Sequence, residues 1–136
     1  MANLQVSLVE TNRPVWDGEC TLIIAKTVEG DVGIMPGHEP YFAILADGRV
    51  RLERPDDVPL IVAVHGGFIS VDDNNIKILA EIAELASEID VERAERARDR
   101  VLSEDGDEKD LDALHRAETR IDVSLRQRSV LSAGSR

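Results

Sequence analysis

Phe42-Ala43-Ile44-Leu45-Ala46-Asp47-Gly48-Arg49-Val50-Arg51-Leu52-Glu53 is the stretch on which the fold turns. An apolar run meets Asp-Gly and continues as an alternation, with Val50 and Leu52 on one face and Arg49, Arg51 and Glu53 on the other. Period-two alternation marks a strand with one buried face. Asp-Gly tolerates the positive φ angles of a tight two-residue turn, so the stretch reads as a β-hairpin with arms 42–46 and 49–53.

The same pattern extends outward on both sides. Leu4, Val6 and Leu8 alternate with Gln5 and Ser7, a half-buried strand. Leu22 to Ala25 is a second apolar run, and Leu60 to Val64 is apolar enough for an interior strand. Phe68 to Val71, the turn Asp72-Asp73-Asn74-Asn75, and Ile76 to Ala80 read as another hairpin. Gly66-Gly67 before it signals a bulge or a close backbone approach. Many short strands with frequent turns favour a sandwich or a barrel.

Near residue 86 the character changes to Ala, Arg, Glu and Leu at helical spacing, with no proline. Asp90 is placed to cap a helix, with Ile89 and Ala94 at staple positions. That helix runs to about Leu102, with Ala94, Ala97 and Val101 as its inward stripe. Ser103 to Asp107, centred on Gly106, breaks it. A longer helix follows from about Glu108 to about Leu131, with Leu111, Leu114, Ala117, Ile121 and Leu125 on one face. Two helices joined by a short loop form an antiparallel hairpin. Its Ala-rich seam buries little apolar area, so the hairpin is expected to lean on the β region or on a partner, and to be able to detach.

Composition narrows the function. The chain has 136 residues, a formal net charge of -11 and a pI near 4.6. An acidic surface repels phosphate backbones and anionic headgroups, which argues against nucleic acid or bare lipid as the main partner. Aromatics make up 3% and all lie in the first half, at Trp16, Tyr41, Phe42 and Phe68. Cys20 stands alone, which suits a reducing compartment and a buried structural role. No basic, then apolar, N-terminal stretch suggests a signal peptide, and no apolar run approaches the roughly 20 residues of a membrane span. A soluble protein is expected, one that reaches a membrane by docking to another protein.

No catalytic constellation emerges. No glycine-rich loop ends in Gly-Lys-Ser/Thr, and no G-x-G-x-x-G opens a helix. His38, His65 and His115 are scattered without partners at metal spacing, so no metal site is expected. The one marked asymmetry is at the C-terminal end. Residues 116–136 carry Arg116, Arg120, Arg126, Arg128 and Arg136 against Glu118 and Asp122, a balance of +3 that leaves -14 on the rest. These arginines either complement the negative end of the helix dipole or form a basic probe for carboxylates.

Two segments carry a family resemblance. One is Glu29-Gly30-Asp31-Val32-Gly33-Ile34-Met35-Pro36-Gly37-His38-Glu39-Pro40. The other is Gly66-Gly67-Phe68-Ile69-Ser70-Val71 with Ile78-Leu79-Ala80-Glu81 and Ile89-Asp90 following. Together they resemble the epsilon subunit of bacterial F-type ATP synthases over residues 3 to about 94.

The resemblance implies an α+β protein, with a flattened sandwich of about ten strands over residues 1–86 and a two-helix hairpin over 87–136. It implies a non-catalytic central-stalk subunit, peripheral on the cytoplasmic face of the cell membrane. Its sandwich would bind the gamma subunit and touch the c-ring of a proton-translocating complex, and its hairpin would inhibit ATP hydrolysis by reaching the alpha and beta subunits.

By the same resemblance Glu29, Gly30 and Asp31 would contact the c-ring, from the tip of a tightly bent loop shaped by Gly30, Gly33, Pro36, Gly37 and Pro40. His38 would lie near a subunit contact, held by backbone hydrogen bonds. Arg116, Arg120, Arg126 and Arg128 would meet an acidic segment of beta. Ile89-Asp90-Val91-Glu92-Arg93-Ala94 matches the pattern of members that bind ATP as a regulatory ligand, which implicates Glu84, Asp90, Arg93 and Arg100. A helix cap and a surface ion partner are the simpler account of Asp90 and Arg93 and are preferred to it, and no other cofactor is implied. The hairpin is a few residues shorter than the pattern and breaks early at Ser103 to Asp107, which puts the reach of the second-helix arginines in question. Two rival readings are a stand-alone β-sandwich interaction module with a dimerising hairpin, and a small-molecule β enzyme, for which no convergent set of polar residues stands out.

Overall fold

Tyr41–Glu53 is one unbroken strand of 13 residues, not a hairpin, in the computed structural model, which describes residues 3–11, 13–104 and 110–134. Each half has a better partner elsewhere. Tyr41 to Ile44 pair with Val71 to Phe68, while Gly48 to Leu52 pair with Val64 to Leu60. Gly48 has no positive φ, so the turn that Asp-Gly could make is not made. Asp47-Gly48 instead marks the corner where the strand passes from one sheet to the other. On the strand beside it, Ala25 pairs with Val50 and Thr27 pairs with Leu45, so the register jumps across this corner.

Nine strands are present among the described residues: β1 Leu4–Glu10, β2 Arg13–Cys20, β3 Leu22–Thr27, β4 Gly30–Ile34, β5 Tyr41–Glu53, β6 Leu60–His65, β7 Phe68–Asp72, β8 Asn75–Ala80 and β9 Ile82–Leu85. One layer runs β2-β1-β8-β7 and ends on the first half of β5. The other runs β4-β3, then the second half of β5, then β6 and β9. Counting β5 once in each layer makes the ten strands that the resemblance implied. All pairings are antiparallel except β1 with β8. The tight positive-φ turn lies at Asp73 (φ 50°) and Asn74 (φ 64°), where the β7–β8 hairpin was expected.

Alternation sets the core. Leu4, Val6 and Leu8 of β1, Val50 and Leu52 of β5, and Ile76 and Ile78 of β8 are buried between the layers. Cys20 is fully buried among them, and burial pushes its thiol up to about 11. In β6 both faces are buried. Val62 and Val64 enter the interlayer core, while Ile61 and Ala63 join a second cluster with Ile89 and Val123.

That second cluster lies under the helices α1 (Val91–Leu102) and α2 (Leu111–Gly134). Asp90 caps α1, its carboxylate accepting from Arg93 N–H at 3.1 Å. Ala94 and Val101 are buried and Ala97 is half-buried, as the stripe predicted. Gly106, Asp107 and Glu108, within the expected break and helix start, lie outside the described residues. Asp110 caps α2 through the Ala113 N–H at 3.0 Å.

The expected apolar face of α2 is corrected. Ala117 is buried and Leu114 and Ile121 are half-buried, but Leu111 is 65% exposed and Leu125 56% exposed. The buried positions are Ala117, Thr119, Val123, Ser124 and Gln127. The helix lies between α1 on one side and β5 and β6 on the other, so its buried arc is set by two surfaces rather than by its own leucines.

Candidate functional site

Helix α2 is fastened to the sandwich by polar contacts around a small apolar centre. Val123 packs in the cluster of Ile61 and Ala63. Gln127 Oε1 accepts the Ile61 N–H at 2.7 Å and its Nε2 donates to the Pro59 carbonyl at 3.0 Å. Arg49 meets Asp122 at 3.4 Å, and Asp122 is also held by Arg126 at 2.8 Å. His115 Nε2 donates to the Asp47 carbonyl at 2.9 Å, and Arg120 bridges to Glu84 of β9 at 2.6 Å.

A cleft of about 410 Å³ opens where β9, α1 and α2 converge. Its charged lining is Glu84, Glu88, Asp90, Arg93, Arg100 and Arg120, three carboxylates and three guanidinium groups. Glu84 of β9, Asp90 at the cap of α1, and Arg93 and Arg100 of α1 are therefore brought to one place. Arg120 of the second helix joins them, so the short loop between the helices does not keep that arginine away. The guanidinium groups can bind phosphate oxygens bidentately, and the carboxylates can accept from amino groups.

His65 was not singled out by sequence, and no spacing signal marks it. It is 4% exposed at the end of β6, and among the described residues neither ring nitrogen has a hydrogen-bond partner. Asp47 and Glu84 each approach to 4.0 Å. Burial, then the Arg120 charge, hold the ring below its ordinary value, with Asp47 and Glu84 acting the other way. Asp47 is the second residue whose role the sequence hid. Its carboxylate accepts the Gly66 N–H at 2.8 Å while its carbonyl receives His115.

The expected single bent loop over residues 29–40 is a turn, a strand and a second turn. Glu29 lies at the exposed β3–β4 turn, whose Gly30 has φ 123°. Thr27 Oγ1 braces this turn, donating to the Gly30 carbonyl at 2.7 Å and accepting the Glu29 N–H at 3.1 Å. Asp31 is within β4, opposite Lys26, rather than at the tip. His38 follows the far end of β4, so it is not beside Glu29. Its Nδ1 donates to the Glu39 carbonyl at 2.7 Å and its ring meets Tyr41 edge-on. Gly66 and Gly67 connect β6 in one layer to β7 in the other, both at positive φ. A Cβ on Gly67 would collide with the Leu79 carbonyl, the close backbone approach that the pair predicted.

Of the four α2 arginines, Arg120 and Arg126 are ion-paired in this arrangement. Arg116 lies close enough to act on the charge of His65, and Arg128 is exposed. Arg136 lies outside the described residues. The layer away from the helices carries an exposed apolar patch. Phe42 is 60% exposed and Ile44 49% exposed, and the Phe42 and Phe68 rings lie 5.1 Å apart, tilted by 34°. No helix among the described residues is long and apolar enough to cross a membrane.

A two-layered sandwich with a docked helical arm and one bare apolar face defines the structural class. Residues 3–86 match the model of the ATP synthase Delta/Epsilon chain beta-sandwich domain. The ATP synthase epsilon chain of Streptomyces avermitilis is 50% identical over 125 residues, which cover 92% of this chain and 94% of that one. The epsilon chain of Rhodococcus opacus is 45% identical, covering 89% of this chain and 95% of that one. A chain in the structure of the Euglena gracilis mitochondrial ATP synthase, OSCP/F1/c-ring in rotational state 1, shares the fold with a TM-score of 0.71 at 21% identity, covering 96% of this chain and 82% of that one. The chain belongs to the ATP synthase epsilon chain family.

Proposed function

We propose that this chain is a non-catalytic rotor subunit of the central stalk of an F-type ATP synthase. It joins gamma to the c-ring on the cytoplasmic face of the bacterial cell membrane, and its helical hairpin restrains ATP hydrolysis. Family membership supports the stalk role. The observation that carries it in this chain is the patch of exposed Phe42 and Ile44 beside half-buried Phe68, on the layer that α2 leaves uncovered. An apolar patch with two aromatic rings in contact, on an otherwise acidic surface, is suited to a permanent protein contact, and gamma is the occupant. Glu29 and Gly30 at the β3–β4 turn, with Asp31 beside them in β4, meet polar loops of the c-ring, and His38 lies by a subunit contact. A pull-down from the native membrane fraction tests this. Gamma and c should accompany the intact chain, and gamma should be lost with Phe42→Asp/Phe68→Asp. Retention of gamma by a folded double variant would move the contact elsewhere.

The arm reading rests on the polar fastening of α2. A helix held by a few ion pairs and a small apolar cluster is separable from its support. On leaving, Arg120 releases Glu84, and Arg116, Arg120, Arg126 and Arg128 become available to carboxylates of beta. Deleting residues 87–136 should raise ATP hydrolysis by the assembled enzyme, and unchanged hydrolysis would remove inhibition from the function. The cleft of Glu84, Asp90, Arg93 and Arg100 is the candidate site for regulatory ATP, which would hold the arm down. Calorimetric titration with MgATP and free ATP tests it, and no heat at millimolar nucleotide would empty the site of that role.

A further inference from the structure

The buried imidazole of His65 lies where arm and sandwich meet, and its surroundings divide by element. From β5 comes Asp47 and from β9 comes Glu84, each 4.0 Å from a ring nitrogen. Both carboxylates favour a charged ring, and both belong to the sandwich. From α2 come Arg116 and Arg120, which oppose that charge, and His115, which holds the Asp47 carbonyl at 2.9 Å. Glu81 stands next along the chain side, against Gly66. The ring shares the helix-facing side of β6 with Ile61 and Ala63, which are covered by Val123 of α2. Removing α2 would therefore take away both opposing guanidinium groups and the cover, and leave both carboxylates in place.

We propose that His65 is a proton-linked latch for the helical arm: a neutral imidazole fits beneath docked α2, and uptake of one proton between Asp47 and Glu84 favours the arm's release. The inference rests on the reading of a separable arm and adds the group that biases it. In the docked form burial and the Arg120 and Arg116 charges hold the ring's proton affinity down, and release of α2 removes those guanidinium groups and the cover while both carboxylates stay, so protonation by linkage opposes docking. The bias toward the docked form is complete above the proton affinity of the released form and is lost as pH falls below it. For one proton, the docked-to-released ratio changes by at most about tenfold per pH unit.

Nitroxide labels at Ser129→Cys on α2 and Asp56→Cys on the sandwich, with buried Cys20 left in place, report the arm in the full-length chain. The released fraction should rise as pH falls from 8 to 5, and His65→Gln or His65→Asn should flatten that rise. An arm that stays docked at every pH, or a rise of equal slope in the folded glutamine and asparagine variants, overturns the latch. Val123→Asp separates the two layers of the argument by placing a charge against Ile61 and Ala63. If the label distance does not lengthen in this variant, the separable arm fails and the latch with it. If it lengthens, NMR titration of His65 should show a higher proton affinity than in the unmodified chain. An unchanged titration sinks the latch and leaves the arm standing.

Discussion

Gln127 of α2 closes a two-point contact on the start of β6, accepting the Ile61 N–H at 2.7 Å and donating to the Pro59 carbonyl at 3.0 Å. The side chain is buried, so both backbone groups lose their alternative partner, water. Gln127→Leu keeps the size and removes both bonds. Docking of α2 should weaken by ~1–3 kcal/mol per stranded group, with less effect on the interlayer core. Hydrogen exchange checks this: the Ile61 amide should speed up, while amides of β1 and β8 should be nearly unchanged.

Gly66 and Gly67 should respond differently to the same substitution. At Gly66 (φ 70°) a new Cβ meets the flexible end of Glu81, so Gly66→Ala should cost about 1–2 kcal/mol of backbone strain. At Gly67 (φ 111°) it meets the Leu79 carbonyl and the Ala80 backbone, which cannot yield without breaking the β7–β8 layer. Gly67→Ala should exceed about 3 kcal/mol. Urea denaturation of the two variants gives the comparison directly.

Asp90 offers a way to separate a cap from a ligand contact. Asp90→Ala removes the bond to Arg93 N–H and should cost α1 about 1 kcal/mol, visible as faster exchange in its first turn. Asp90→Asn caps nearly as well and should leave α1 intact. Should nucleotide binding exist and fall in the asparagine variant, the carboxylate charge serves the cleft. Equal binding in both would assign Asp90 to the helix alone.

Cys20 should be inert in the folded protein. With its thiol pushed up to about 11, roughly one molecule in a thousand is thiolate at pH 8, and the sulfur is covered by the core. Its modification by a thiol reagent should follow the unfolding rate. The sign of the linkage is also set. A folded value above the ordinary 9.0 means that the native state holds the proton longer, so stability should fall as pH rises from about 9 toward 11. Cys20→Ser should lose that slope in an alkaline denaturation series.

Strands β1, β3, β6, β7 and β8, the cap of α1 and its small-residue stripe were legible because each is written in neighbouring residues, whereas β2, β4 and β9 carry no such local signal and β5 read as two arms of a hairpin. Leu4, Val6 and Leu8 alternate whatever they face, and Asp90 caps whatever follows. The motif-bearing candidates were legible in part. The cleft residues carry a recognisable pattern around Asp90, but nothing in the spacing places Arg120 beside Glu84, 36 positions away.

The chain's local chemistry alone decided that a β region precedes two helices, that a hairpin turn falls at residues 72–75, and that no phosphate-loop motif is present. Only the tertiary structure decided that Asp47-Gly48 is a corner, since a strand whose halves find partners in two layers has no reason to turn back. It also decided which arc of α2 is buried, because that depends on two surfaces rather than on the helix. And it alone put His65 between two carboxylates and two guanidinium groups, because charges from β5, β9 and α2 act on one ring only after all three elements have packed around it.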